Sequence, residues 1–118
     1  MRLRVGTRPS FLALEQVKEI QKKIQNLTLE PVIIETKGDK DKLTALSDVV
    51  NTDFFTFEIE EALINREIDI AVHSAKDLEE VSLMPKELVV AAITKSITRR
   101  DCLVSLKGYT FDSLPEKA

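Results

Sequence analysis

Apolar and polar residues fall in blocks along the chain, and the blocks predict strands alternating with helices. Leu3 to Gly6 reads as a strand, followed by the turn Thr7-Arg8-Pro9-Ser10 and a helix reaching about Asn26. In that helix Phe11, Leu14, Val17, Ile20 and Ile24 recur at helical spacing, with Gln, Lys and Glu between them. Ser10 or Thr7 can cap its start. Pro31 opens a second strand, Val32 to Thr36, which the breaker Lys37-Gly38-Asp39 ends. Strand, helix and strand at these distances form a βαβ unit with a parallel pair.

Lys40 to Asp53 is the least regular stretch and reads as a loop with at most one helical turn. Phe54, Phe55, Phe57, Ile59, Ala62, Leu63 and Ile64 then supply the apolar part of a second helix, with Glu58, Glu60 and Glu61 toward water. Ile68 to His73 predicts a third strand, Leu88 to Ile93 a fourth and Cys102 to Leu106 a fifth. The expected fold class is α/β, an open and mostly parallel sheet with flanking helices, in one domain over residues 1–118.

The third strand carries the clearest chemical signal. Its apolar run, covered on both faces, leads directly into His73, Ser74, Lys76 and Asp77. In open α/β sheets ligands bind at the carboxyl ends of strands. After the first strand, Arg8 and Ser10 lie at a helix N-terminus, where free N–H groups and the helix dipole favour an anion. Simple capping by Ser10, with Arg8 in solvent, explains that motif equally well. Parallel topology puts both strand ends at one edge of the sheet, so Arg8, Lys76 and Asp77 can share a cleft. A small molecule with several carboxylates is the natural guest. Asp77 suits such a cleft if the substrate develops positive charge during reaction. His73 reads more readily as a packed core residue, and Cys102 as a buried inert thiol.

Composition narrows the classes. At 43% hydrophobic and 31% charged the chain is an ordinary globular protein, and a net charge of −3 without a basic stripe argues against nucleic acid. No apolar run reaches membrane-spanning length, and Met1 to Arg4 leads into a strand instead of a signal segment. A single cysteine excludes an internal disulfide and fits a reducing, cytoplasmic setting. One His and one Cys cannot build a nitrogen–sulfur metal cage, so no metal is expected.

Five elements occur together: GTRPSFLALEQ at 6–16, TKGD at 36–39, FEIEEALI at 57–64, DIAVHSAKD at 69–77 and RRDCLVS at 99–105. In order and spacing they resemble the first domain of the porphobilinogen deaminase (hydroxymethylbilane synthase) family. The resemblance implies a three-domain enzyme whose first two domains are like the halves of a periplasmic binding protein (type II) around a cleft. A cysteine of the third domain holds a dipyrromethane cofactor, on which four porphobilinogen units are joined with loss of ammonia. By that resemblance Asp77 matches the catalytic aspartate, which bonds pyrrole N–H groups and stabilises the cationic azafulvene. Arg8, Ser10 and Lys76 match groups that bind acetate and propionate side chains. Gln16 matches a helix position near the substrate, and Phe55 the aromatic ring of a KGLF element.

The chain also departs from the pattern. Thr52 and Phe57 stand where the family's GGKGLFTKE has lysines, and Leu78-Glu79 replaces a Val-Pro after the Lys-Asp pair. Residues matching the second and third domains are missing, and Cys102 does not match the cofactor cysteine. The expectation is thus a first domain alone, not competent for turnover and without bound dipyrromethane. The alternatives are a non-catalytic anion- or pyrrole-binding module, or one subunit of a split enzyme. A bared sheet edge favours self-association or a partner chain supplying the missing domains. Light scattering at high concentration should therefore report a species larger than the monomer.

Overall fold

The computed structural model describes residues 1–41, 43, 54–78, 83–96, 100 and 104–115. Three parallel strands lie in the order β2-β1-β3, with β1 at Arg2–Thr7, β2 at Thr28–Ile33 and β3 at Ile70–Ala71. Helix α1 spans Phe11–Lys23, α2 Lys37–Lys40 and α3 Phe57–Ile64. The central strand pairs with β2 from Arg2↔Thr28 to Thr7↔Ile33, and with β3 through Val5↔Ile70 and Gly6↔Ala71. Bonds from Asp69 N to Arg4 O and from Val72 N to Gly6 O extend the β3 contact beyond its two-residue ladder. The expected α/β class and βαβ unit are both present.

Side chains alternate across this sheet, and each face meets a helix. Val5, Leu29, Ile70 and Val72 pack with Val17 and Ile20 of α1. On the other face Val32, Ile34, Ile68 and Ala71 pack with Ile59, Ala62 and Leu63 of α3. Cover on both faces is why the third strand is apolar from Ile68 to Val72 except at Asp69. Gly6 faces α3, where a Cβ would collide with Ile68 Cδ1 and come within 3.3 Å of Ile59 Cγ2. Glycine lets that helix close on the central strand.

Several boundaries differ from the sequence pattern, each for a local reason. Pro31 lies inside β2 instead of opening it. Thr28 N and Ile34 N donate to Met1 O and Thr7 O, so the odd-numbered residues between them turn their N–H positions to the side of β2 where no described strand pairs. A proline there gives up no ladder bond. Helix α1 ends at Lys23 because Gln21 bends the chain into β2. Its amide donates to the carbonyls of Ile24 and Leu27 and its oxygen accepts from Leu29 N. The expected breaker at 37–39 is a short helix with a capping box, in which Thr36 and Asp39 exchange side-chain and backbone hydrogen bonds. Helix α3 starts at Phe57, three residues later than expected for the Phe54 start, and Glu60, expected in water, is buried. It closes through Arg66 in the left-handed region (φ 60), with Glu67 N bonded to Ala62 O.

The fourth strand is not formed. Residues 88–93 have no ladder partner among the described residues, and Val89 and Ile93 are 80% and 86% exposed. Strand pattern alone does not make a strand when no neighbouring edge receives it. Of the expected fifth strand, Cys102 and Leu103 lie outside the described residues, and 104–107 form no ladder. The 40–53 loop lies almost wholly outside them as well. Among the described residues no helix is long and apolar enough to cross a membrane.

Asp69 joins the start of β3 to β1. Its carboxylate accepts from Arg4 N at 2.7 Å and from the Arg4 guanidinium at 2.9 and 3.2 Å. The Arg4 side-chain hydrogen bonds, reinforced by the Arg4 amide, lower its pKa from 3.8 to about 2. A depressed carboxyl pKa means the stabilisation is complete above the ordinary value and is lost as pH falls through the folded one. Carboxyl-carbon NMR should place the Asp69 midpoint near pH 2, and Asp69→Asn should remove that part of the acid sensitivity.

Candidate functional site

The carboxyl ends of β1 and β3 open into a cleft of about 200 Å³. Arg8 and Ser10 reach it from the end of β1, and Leu12, Ala13 and Gln16 from the first turns of α1. Val72, His73 and Ser74 follow β3, Lys76 and Asp77 belong to a 3₁₀ turn at Ala75–Asp77, and Phe55 precedes α3. All six residues picked from the sequence, Asp77, Arg8, Ser10, Gln16, Phe55 and Lys76, therefore line one cavity. The register Gly6↔Ala71 is what brings the two strand ends together.

Each side chain has a distinct hold. Ser10 caps α1, its Oγ accepting from Ala13 N at 3.2 Å, which leaves its hydroxyl proton to donate. Thr7, the other candidate cap, is buried and donates to Arg8 O instead. Gln16 Nε2 donates to Ser74 Oγ at 2.9 Å and so ties α1 to the end of β3. Lys76 is exposed at the rim. The Arg8 guanidinium lies over the Phe55 ring, its Cζ 4.2 Å from the ring centre. Phe54 meets Phe55 edge-on at 5.1 Å, and Gly38 packs against both rings with no room for a Cβ.

One residue outside the sequence-based set governs Arg8. Asp39 accepts from Arg8 Nη2 at 2.6 Å and from Nε at 3.0 Å, with a side chain only 9% exposed. The same carboxylate accepts from Thr36 N and Thr36 Oγ1 at 3.0 and 2.7 Å. Burial pushes the Asp39 pKa up, but the Arg8 and Thr36 hydrogen bonds outweigh it and the net shift is downward. Arg8 is thus neither in solvent nor wholly free for an anion. Its Nη1 lies 3.8 Å from Asp77 Oδ2, beyond hydrogen-bond reach. The Thr-x-x-Asp pattern of a capping box was legible at 36–39, whereas the pairing across 31 residues was not. His73, read as core, lines the cleft too. Among the described residues no group of three His, Cys, Asp or Glu could hold a metal ion.

A guanidinium, an ammonium, hydroxyl and amide donors and one carboxylate line a cleft at the strand ends of an α/β domain, the edge at which open α/β sheets carry their ligand sites. A family profile, "Porphobilinogen deaminase, dipyromethane cofactor binding domain", matches residues 3–118, and the chain belongs to that family. It is 41% identical over 122 residues to a porphobilinogen deaminase of Natranaerobius thermophilus, covering 100% of this chain and 39% of that protein. It is 43% identical to one of Syntrophomonas wolfei, covering 98% of this chain and 39% of the relative. A Campylobacter hominis relative is 42% identical, with 99% and 38% covered. The chain spans about 39% of the length of the first two of these relatives.

The His73 imidazole is pushed below 6.5, chiefly by burial; the charge of Asp77 raises it and that of Arg8 lowers it again. Imidazole NMR should give a midpoint under 6.5, and Asp77→Asn should lower it further. An unmoved midpoint would mean that Asp77 does not act on the ring.

Proposed function

We propose that the cleft binds porphobilinogen and related pyrroles by their carboxylate side chains. In this reading it forms the aspartate wall of a hydroxymethylbilane synthase in tetrapyrrole biosynthesis. The opposite wall, in an arrangement like two halves of a periplasmic binding protein, would come from polypeptide matching the part of the relatives that this chain does not span. The observation that carries the reading is the shared cleft of Arg8, Lys76 and Asp77, with Arg8 Nη1 and Asp77 Oδ2 a loose ion pair at 3.8 Å, too long for a hydrogen bond.

The division of labour follows from charge. Arg8 and Lys76 attract acetate and propionate groups, and Ser10 and Gln16 supply hydrogen bonds beside them. Asp77 can only accept when ionised, which suits a pyrrole N–H. Porphobilinogen loses ammonia from its protonated aminomethyl group: the C–N bonding pair goes with nitrogen, and the positive charge passes from the ammonium to the ring. A fixed carboxylate stabilises that cation more than the neutral ring before it, so its effect falls on the barrier. Substrate-binding pockets for drug-sized ligands run from roughly 300 Å³ upward. At about 200 Å³ this cleft suits one pyrrole at a time.

The same donor set fits one ring of a dipyrromethane, another pair of acidic pyrroles: Arg8, Lys76 and Ser10 for its carboxylates and Asp77 for its N–H groups. When bound, that group supplies the chain end to which new pyrroles are added. A binding module without chemistry is the second reading, and half-exposed Phe57, at a position where the resemblance expects a lysine, supports it.

Calorimetry with porphobilinogen tests the proposal. The wild-type chain should bind, and Arg8→Ala should weaken binding about tenfold or more, the value of one lost hydrogen bond to a charged group. Asp77→Asn should leave binding largely intact while abolishing ammonia release in an active assembly; a pure binder would show no release to abolish. A wild-type chain that ignores porphobilinogen would remove the reading.

A further inference from the structure

We infer that Asp39 is a positioning residue: it holds Arg8 away from Asp77, so that cation and carboxylate stay separately available to one ligand. This rests on the pyrrole-binding reading of the cleft and adds to it the device that keeps the cleft open.

The problem it answers is electrostatic. A guanidinium and a carboxylate facing the same small cavity attract each other, and a bidentate pair is their most favourable arrangement. Arg8 and Asp77, each 21% exposed, would neutralise one another and withdraw the groups that the ligand needs. Asp39 prevents this by offering a better-anchored acceptor. Its carboxylate is fixed by Thr36 N and Thr36 Oγ1 independently of Arg8, and it takes the Nε–Nη2 edge of the guanidinium. Phe55, seated on Gly38, fixes the plane of the guanidinium from below. What remains is Nη1, turned to the Asp77 side at 3.8 Å. A ligand carboxylate can meet that end of Arg8 while its N–H meets Asp77.

The test uses the full chain with porphobilinogen as the calorimetric probe. Asp39→Asn keeps an oxygen for Thr36 N and loses the charge. It should weaken binding about tenfold. The double variant Asp39→Asn/Arg8→Ala should bind no worse than Arg8→Ala alone, because the two act as one unit. A crystal structure of Asp39→Asn should show Arg8 hydrogen-bonded to Asp77. Arg8→Lys leaves the capping box untouched yet cannot make the fork to Asp39, and should also lose about tenfold.

Wild-type affinity in folded Asp39→Asn, or additive losses in the double variant, would overturn the inference and leave the proposed function standing. If Asp39→Asn fails to fold, Arg8→Lys decides, and wild-type affinity there overturns it. If the wild-type chain binds no porphobilinogen, the functional reading fails, and the crystal structure decides the inference alone. Arg8 bonded to Asp77 supports it, and Arg8 still on residue 39 overturns it.

Discussion

Strand β1 is hydrogen-bonded to a parallel neighbour on each side and covered by a helix layer on each face. That constraint settles most of the molecule. Parallel pairing forces the chain to leave β1 and β3 at the same edge, so the polar segments 7–10 and 73–77 meet. Packing on both faces fills the middle of the sheet with apolar side chains such as Val5, Leu29 and Ile70, and leaves the polar residues of the cleft at the strand ends. The cleft is what remains when a buried sheet must stop and its polar residues must go somewhere.

Within the cleft, attraction between opposite charges is as much a hazard as a resource. Two cations and two carboxylates lie in or against it, and left alone they would pair off. The capping box at Thr36–Asp39 directs that pairing toward the wall. One carboxylate is spent on the scaffold and the other is kept for the cavity. Gly38 belongs to the same arrangement, since its missing side chain is where Phe55 sits beneath the guanidinium.

Much of this was legible in the sequence because it follows from local pattern. The helical spacing through Val17 and Ile20 gave the α1 layer, and the apolar residues from Ile68 to Val72 gave the place of β3, although its ladder takes in only Ile70–Ala71 of the expected 68–73. The shared cleft of Arg8, Lys76 and Asp77 followed from topology once the strands were parallel. What escaped depends on partners distant in the chain. Asp39 looked like a turn residue because its tie to Arg8 spans 31 positions. Glu60 looked exposed because its place on α3 depends on how that helix packs. Leu88 to Ile93 has the composition of a strand, but pairing is a property of two segments and composition of one. Pro31 misled in the opposite direction: proline usually marks a boundary, and only edge position makes it harmless in mid-strand.

That proline has a further effect on how molecules of this chain meet in solution. Along the outer side of β2 the amide of Leu29 is occupied by Gln21, and Pro31 has none to give. An intruding strand would find its ladder interrupted at successive rungs, so this flank is a poor template for amyloid-like growth. Any association between copies is steered to other parts of the surface.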